Sequence, residues 1–198
     1  MNLPLEGILR RCVNDLGAIG VRFAVVGGVA ISVRHEPRFT RDVDLVLPVA
    51  SDAEAERVGY HLRTRGYLPA IQIEDETHDR LATLRLIPPG TDPELSRYVD
   101  LLFTLTGIER EIIAGAEPVE VFPGLIVPTA KVEHLLAMKV LSCSERRPRD
   151  LQDILGLLKT ASDEQLDAAR TLLRLIIQRG FHRNRDLLAR LEEYRKML

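Results

Sequence analysis

Residues 23–48, FAVVGGVAISVRHEPRFTRDVDLVLP, constrain the fold of this chain more than any other stretch. An apolar run, Phe23-Ala24-Val25-Val26, stops at Gly27-Gly28, and a second run, Leu45-Val46-Leu47, follows Thr40-Arg41-Asp42-Val43-Asp44. Short apolar runs bounded by glycine and polar residues read as buried strands. The stretch therefore predicts strand, glycine turn, short helix over 29–33, loop and strand. Pro37 prevents the helix from continuing through the loop at Arg34-His35-Glu36. Residues two apart share a face of an extended segment, so Asp42 and Asp44 project together.

Two carboxylates on one face repel each other unless a cation sits between them. Magnesium accepts one or two carboxylates together with phosphates and water, which makes the pair a candidate metal site; an edge strand carrying acids to solvent is the competing reading. The glycine turn adds to the first reading, because a glycine-opened helix lets backbone N–H groups approach a phosphate closely. Arg38 and Arg41 flank the acids, placed either to contact triphosphate oxygens or to pair with nearby carboxylates. Far along the chain, Asp100 interrupts the apolar strand Arg97-Tyr98-Val99-Asp100-Leu101-Leu102-Phe103. A desolvated carboxylate there needs a partner: a metal shared with Asp42 and Asp44, or another buried cation.

The remaining segments read as scaffold. Apolar residues at Leu5, Ile8, Leu9, Cys12, Val13 and Leu16 make an amphipathic helix ended by Gly17 and Gly20. Ser51 starts a helix with an acidic first turn that runs to about Arg65, strands follow near 68–74 and 81–87, and the acidic cluster 74–79 between them reads as a solvated loop. A loop spans 88–93, a short helix 107–114, and a final strand 119–122; Leu125-Ile126-Val127-Pro128-Thr129 then leads into an apolar helix over 130–142. Lysine occurs only at 131, 139, 159 and 196, and Lys139 lies within that apolar helix. Its stem is expected to be packed, with the ammonium directed outward or to a phosphate. Pro148 opens the next helix, and Asp153 within it is expected to act as a cap or an ion-pair partner. Two amphipathic helices, 164–178 and 184–198, carry an excess of arginine that reads either as a solvated face or as a face for an RNA backbone.

Composition narrows the setting. The 198 residues fit one domain, or one domain with a helical appendage, and the net charge of −2 gives no global attraction to nucleic acid. Cys12 and Cys143 lack zinc or disulfide spacing and suit a reducing cytoplasm; no run approaches the length of a membrane span, so no membrane partner is expected. Gly27-Gly28 lacks the G-x-G-x-x-G spacing of a dinucleotide fold.

The succession of Gly27-Gly28, a helix and Thr40-Arg41-Asp42-Val43-Asp44 on a strand resembles the signature of the nucleotidyltransferase superfamily. More narrowly it resembles the minimal, AbiEii-type branch, whose members are often toxins of toxin–antitoxin pairs. In that branch a lysine on one helix is followed by R-x-K-D opening the next, and Lys139, Arg147, Arg149 and Asp150 match with arginine at the second basic position. The resemblance implies an α/β (α+β) fold, a mixed sheet flanked by helices, with a core over 1–127 and a C-terminal helical region over 128–198 packed on it. It implies transfer of a nucleoside monophosphate from a nucleoside triphosphate to an acceptor hydroxyl, with two magnesium ions on Asp42, Asp44 and Asp100. Catalytic roles then fall to Asp42, Asp44, Asp100, Lys139 and Asp150, and nucleotide binding to Gly27, Gly28, Thr40, Arg41, Lys139, Arg147 and Arg149. It further implies tRNA as acceptor for toxin relatives, antibiotics or proteins for similar folds, and a cognate antitoxin as partner. A nucleotide- or partner-binding module with a degenerate site is the alternative.

Overall fold

A computed structural model describes residues 3–75, 80–92, 97–145 and 147–198. At the centre of the sheet, β1 (Ala24–Val26) runs antiparallel to β2 (Val43–Val46), placing Val26 opposite Asp44. β5 (Val99–Leu102) lies parallel to β2 and sets Asp100 opposite Asp44. β4 (Arg80–Ile87) runs antiparallel to β5 with Arg85 opposite Asp100, and β3 (Leu68–Asp75) forms that edge. One cross-strand row thus reads Arg85, Asp100, Asp44, and paired residues on neighbouring strands share a face. Most of the expected loop at 74–79 lies outside the described residues, which stop at Asp75 and resume at Arg80.

The other half of the sheet departs from expectation. Leu125–Thr129, expected as a lead-in to a helix, is a strand, β7, which pairs antiparallel with β6 (Glu117–Phe122) and parallel with β1. Its burial alternates, with Leu125, Val127 and Thr129 inside and Ile126 and Pro128 outside, the period-2 pattern of a half-buried strand. The two prolines, Pro118 and Pro128, face each other across the hairpin, a position that proline tolerates near a sheet edge. The final sheet order is β3-β4-β5-β2-β1-β7-β6, seven strands of mixed direction.

Helices α1 (Leu5–Gly17), α3 (Asp52–Thr64) and α4 (Glu109–Gly115) contact strands β2 and β4, while α2 (Gly27–Arg34) touches both the sheet and the C-terminal helices. α1 buries the expected stripe of Ile8, Leu9, Cys12 and Leu16, and Ser51 caps α3 by accepting the Glu54 N–H. α5 (Val132–Ser142) is apolar all round and buried on nearly every side by α2, α6 (Pro148–Thr160), α7 (Asp163–Gln178) and α8 (Leu187–Arg195). That is the arrangement expected of a helix without a polar face. One continuous hydrophobic cluster runs from Ile8 to Tyr194, joining the sheet to these helices.

The arginine-rich end is largely occupied within the protein. Arg185 donates to the carbonyls of Leu141 (2.7 Å) and Cys143 (3.2 Å), and Arg190 to Cys143 O at 2.7 Å, closing the carboxyl end of α5. Arg179 pairs with Glu111, Arg170 with Glu192 and Asp167, and Arg195 with Glu192. Arg170, Arg179, Arg185 and Arg190 therefore tie separate elements together, while Arg195 pairs within α8. α8 starts later than expected because Asp186 accepts the Ala189 N–H and sets the first turn. Among the described residues no helix is long and apolar enough to cross a membrane.

Burial also marks Cys12, whose thiol sits in the core with a pKa pushed up to about 12 from its ordinary 9.0, mainly by desolvation. A raised acid favours its neutral form when folded, so its contribution is complete below pH 9 and is lost as pH climbs through that window. Stability measured by urea unfolding is expected to fall on alkalinisation, and to fall less steeply in Cys12→Ala. An unchanged slope would refute the assignment.

Candidate active site

The acids, the glycine turn and the lysine helix converge on a cleft of about 360 Å³ lined by Gly27, Gly28, Asp42, Asp44, Asp100 and Lys139, among others. Sequence locality sets up the first half. β1 delivers the chain into α2 at Gly27, whose φ of +61° lies in the left-handed region that favours glycine. Across the β1/β2 pair, the Asp44 carboxylate lies so close that a Cβ on Gly27 would collide with Oδ2. At Gly28 a Cβ would collide with the Thr40 hydroxyl. Both glycines are therefore required by close approach, and the uncapped N-terminus of α2 opens beside the acids.

The loop between α2 and β2 is tied down by small polar contacts. Ser32 Oγ donates to Gly28 O (2.8 Å) and accepts the Arg38 N–H (3.2 Å), and Thr40 Oγ1 donates to Asp42 O (3.5 Å). Asp42 Oδ1 in turn accepts the Tyr98 N–H at 3.1 Å, which fixes it relative to β5. Arg41 is exposed and sits 5.6 Å from the centre of the Phe39 ring, outside the cleft lining; Arg149 is also exposed and outside it, whereas Arg147 lines it.

The three acids crowd one another. Burial, then the charges of Asp100 and Asp42, push the Asp44 carboxyl up to about 6, against a pull downward from Lys139 and the Gly28 backbone. Burial likewise raises Asp42, assisted by Asp100 and opposed by the Tyr98 N–H and by Arg85. Arg85 answers this excess of negative charge directly. Its Nε and Nη2 donate to Asp100 Oδ1 (2.8 Å) and Oδ2 (2.6 Å), a bidentate pair, and Nη2 lies 4.0 Å from Asp42 Oδ2. The cation that a lone Asp100 demands is thus present, half-buried, on the neighbouring strand. Sequence reasoning missed it, although Arg85 is the cation within the apolar run Leu84-Arg85-Leu86, as Asp100 is the acid within its own run.

A second charged cluster builds the opposite wall. Lys139 Nζ, on buried α5, donates to Asp150 Oδ1 (2.6 Å) and Asp153 Oδ2 (2.8 Å) on α6. Asp150 Oδ2 also accepts from Ser142 Oγ (2.8 Å), and Asp153 Oδ1 pairs with Arg38 Nε (2.9 Å). Asp153 is consequently an ion-pair partner, and it joins the loop preceding β2 to the lysine helix. Asp150 thus holds the Lys139 ammonium in place from α6. Arg38, for which two readings were open, pairs with an acid while also lining the cleft.

Residues 8–197 match the family described as "Nucleotidyl transferase AbiEii toxin, Type IV TA system". The chain belongs to this AbiEii family. It is a nucleotidyltransferase. Solved structures of similar fold include the antibiotic-resistance factor ANT(2'')-Ia, with a TM-score of 0.57 at 14% identity over 96% of this chain and 96% of that one. The lincosamide antibiotic adenylyltransferase LnuA gives 0.52 at 15% identity, covering 82% of the AbiEii chain and 100% of its own. A nucleotidyltransferase-like antigenic protein from Paracoccidioides brasiliensis gives 0.51 at 19%, covering 92% and 89%. At these identities the likeness is one of fold. A comparison with curated proteins returned no significant sequence match.

Two substitutions probe the two walls. Gly27→Ala adds about 1–2 kcal/mol of left-handed backbone strain and forces the Asp44 carboxylate aside, so nucleotidyl transfer is expected to be lost while the far-UV circular dichroism stays native. Asp153→Ala leaves Arg38 unpaired and Lys139 half-paired in a buried setting, and urea unfolding is expected to register a loss of about 3 kcal/mol. A loss below about 0.5 kcal/mol would mean that the cluster does not brace the fold.

Proposed function

We propose that this AbiEii enzyme transfers a nucleoside monophosphate, with magnesium, from a nucleoside triphosphate to a hydroxyl of tRNA, as a toxin countered by a cognate antitoxin. The observation that carries the reading is the convergence of the glycine turn, three acids and a half-buried, doubly braced lysine on a single cleft.

The donor set suits magnesium. Asp42 and Asp44 offer carboxylate oxygens at the rim of a site already overloaded with negative charge, as the raised Asp44 reflects. Among the described residues no group of three or more acids, histidines or cysteines forms a ready-made metal cluster, and Asp100 has both oxygens on Arg85. Asp42 and Asp44 would therefore hold the two ions with triphosphate oxygens and water completing their coordination, and Asp100 would join once released. Bound magnesium neutralises charge on the attacking and leaving oxygens.

The chain's own groups supply the rest. The N–H groups at the start of α2 approach the phosphates, and Lys139, kept in position by Asp150 and Asp153, opposes triphosphate charge. The acceptor oxygen attacks the α-phosphorus in line, the bond to pyrophosphate breaks with its electron pair, and Asp100 accepts the hydroxyl proton. Five cations, Arg38, Arg85, Lys139, Arg147 and Arg183, line the cleft against three acids, Asp42, Asp44 and Asp100, whose charge bound magnesium would offset, and that balance supports a polyanionic acceptor over a cationic antibiotic.

Incubation of the protein with magnesium, total tRNA and each labelled triphosphate is expected to label tRNA with one or more donors and to release pyrophosphate. Asp42→Ala is expected to abolish both. Full transfer by that variant would sink the mechanism, and label appearing only on small molecules would sink the acceptor.

A further inference from the structure

The acid cluster is already served by a cation of the protein's own. Arg85 makes two charge-assisted hydrogen bonds to Asp100, approaches Asp42 at 4.0 Å and lies 4.8 Å from the centre of the Tyr98 ring. Tyr98 thereby touches both sides of the arrangement, its N–H on Asp42 and its ring face against the guanidinium. The register fixes the pair, since Arg85 and Asp100 are directly opposed on β4 and β5, in the same row as Asp44. A carboxylate with both oxygens engaged in this way cannot take a proton from a hydroxyl or reach a metal ion without surrendering one of those bonds.

We propose that Arg85 is the resident counter-cation of this site, competing with divalent metal for Asp100 and so setting how readily the acids are loaded. The proposal rests on the reading of Asp42, Asp44 and Asp100 as metal ligands. Arg85 is a positioning residue in it: while paired it keeps Asp100 out of use, and it stabilises the three acids against their mutual repulsion when no metal is bound. A purely structural arginine behaves differently. Removing one would loosen the acids and weaken metal binding, whereas removing a competitor strengthens it.

The test is calorimetric titration of the intact protein with manganese or magnesium alone, together with its melting temperature with and without the ion. Arg85→Met retains an apolar stem over Tyr98 and removes the charge. It is expected to melt lower than the parent without metal, to bind the divalent ion about tenfold tighter or more, and to gain more in melting temperature on its addition. Arg85→Lys keeps a charge but loses the bidentate fork, and is expected to fall between the two; it serves as the variant to read if Arg85→Met does not fold. Equal or weaker affinity in the folded variants overturns the competition while leaving the metal reading intact. Absence of divalent binding in parent and variants alike overturns both.

Discussion

The approach of the Asp44 carboxylate to the backbone of Gly27 is the contact on which the rest of the structure depends. It requires β1 and β2 to be neighbours with Val26 opposite Asp44, and it requires a residue without a side chain where the strand becomes helix. The sheet order around it follows the same need. β5 flanks β2 on the other side and brings a third acid into the row, while β7 flanks β1 and leads into the helix that carries the lysine. An acid pressed against the first turn of a helix is electrostatically favourable for the acid and leaves the neighbouring N–H groups aimed at the same space.

Two charge clusters face each other across that space, and each is closed on itself. Arg85 answers the acids; Asp150 and Asp153 answer the lysine. Buried ion pairs of this kind add little net stability compared with apolar packing, but losing one partner is costly. Their contribution is therefore to direction: they hold side chains at fixed places. Arg38 links the clusters, because its pairing with Asp153 connects the loop before Asp42 to α6.

Much of this was legible in the order of residues, and the part that was not has a physical explanation. Gly27-Gly28 and Asp42-Val43-Asp44 are close in sequence, so their geometry follows from the two-residue period of a strand and the steric demands of a turn. Asp100 was legible as a charge out of place in an apolar run. Arg85 was the same anomaly with the opposite sign, but which strand lies beside which is decided by tertiary pairing that no local pattern encodes. β7 was obscured by Pro128, which argues against a strand until its outward position in a hairpin is known. The arginines of the last helices carry no mark distinguishing a partner in RNA from a carbonyl inside the protein; only the packing of α8 against α5 decides it.

That packing has a consequence for the order of events during synthesis. The carboxyl end of α5, about one helical turn from Lys139, owes its satisfied carbonyls at Leu141 and Cys143 to guanidinium groups on Arg185 and Arg190. The glycine turn and all three acids leave the ribosome well before those arginines do. A nascent chain carrying every acid of the site therefore still has the lysine helix open at one end, and the two walls of the cleft meet in their final form only when the last helix docks.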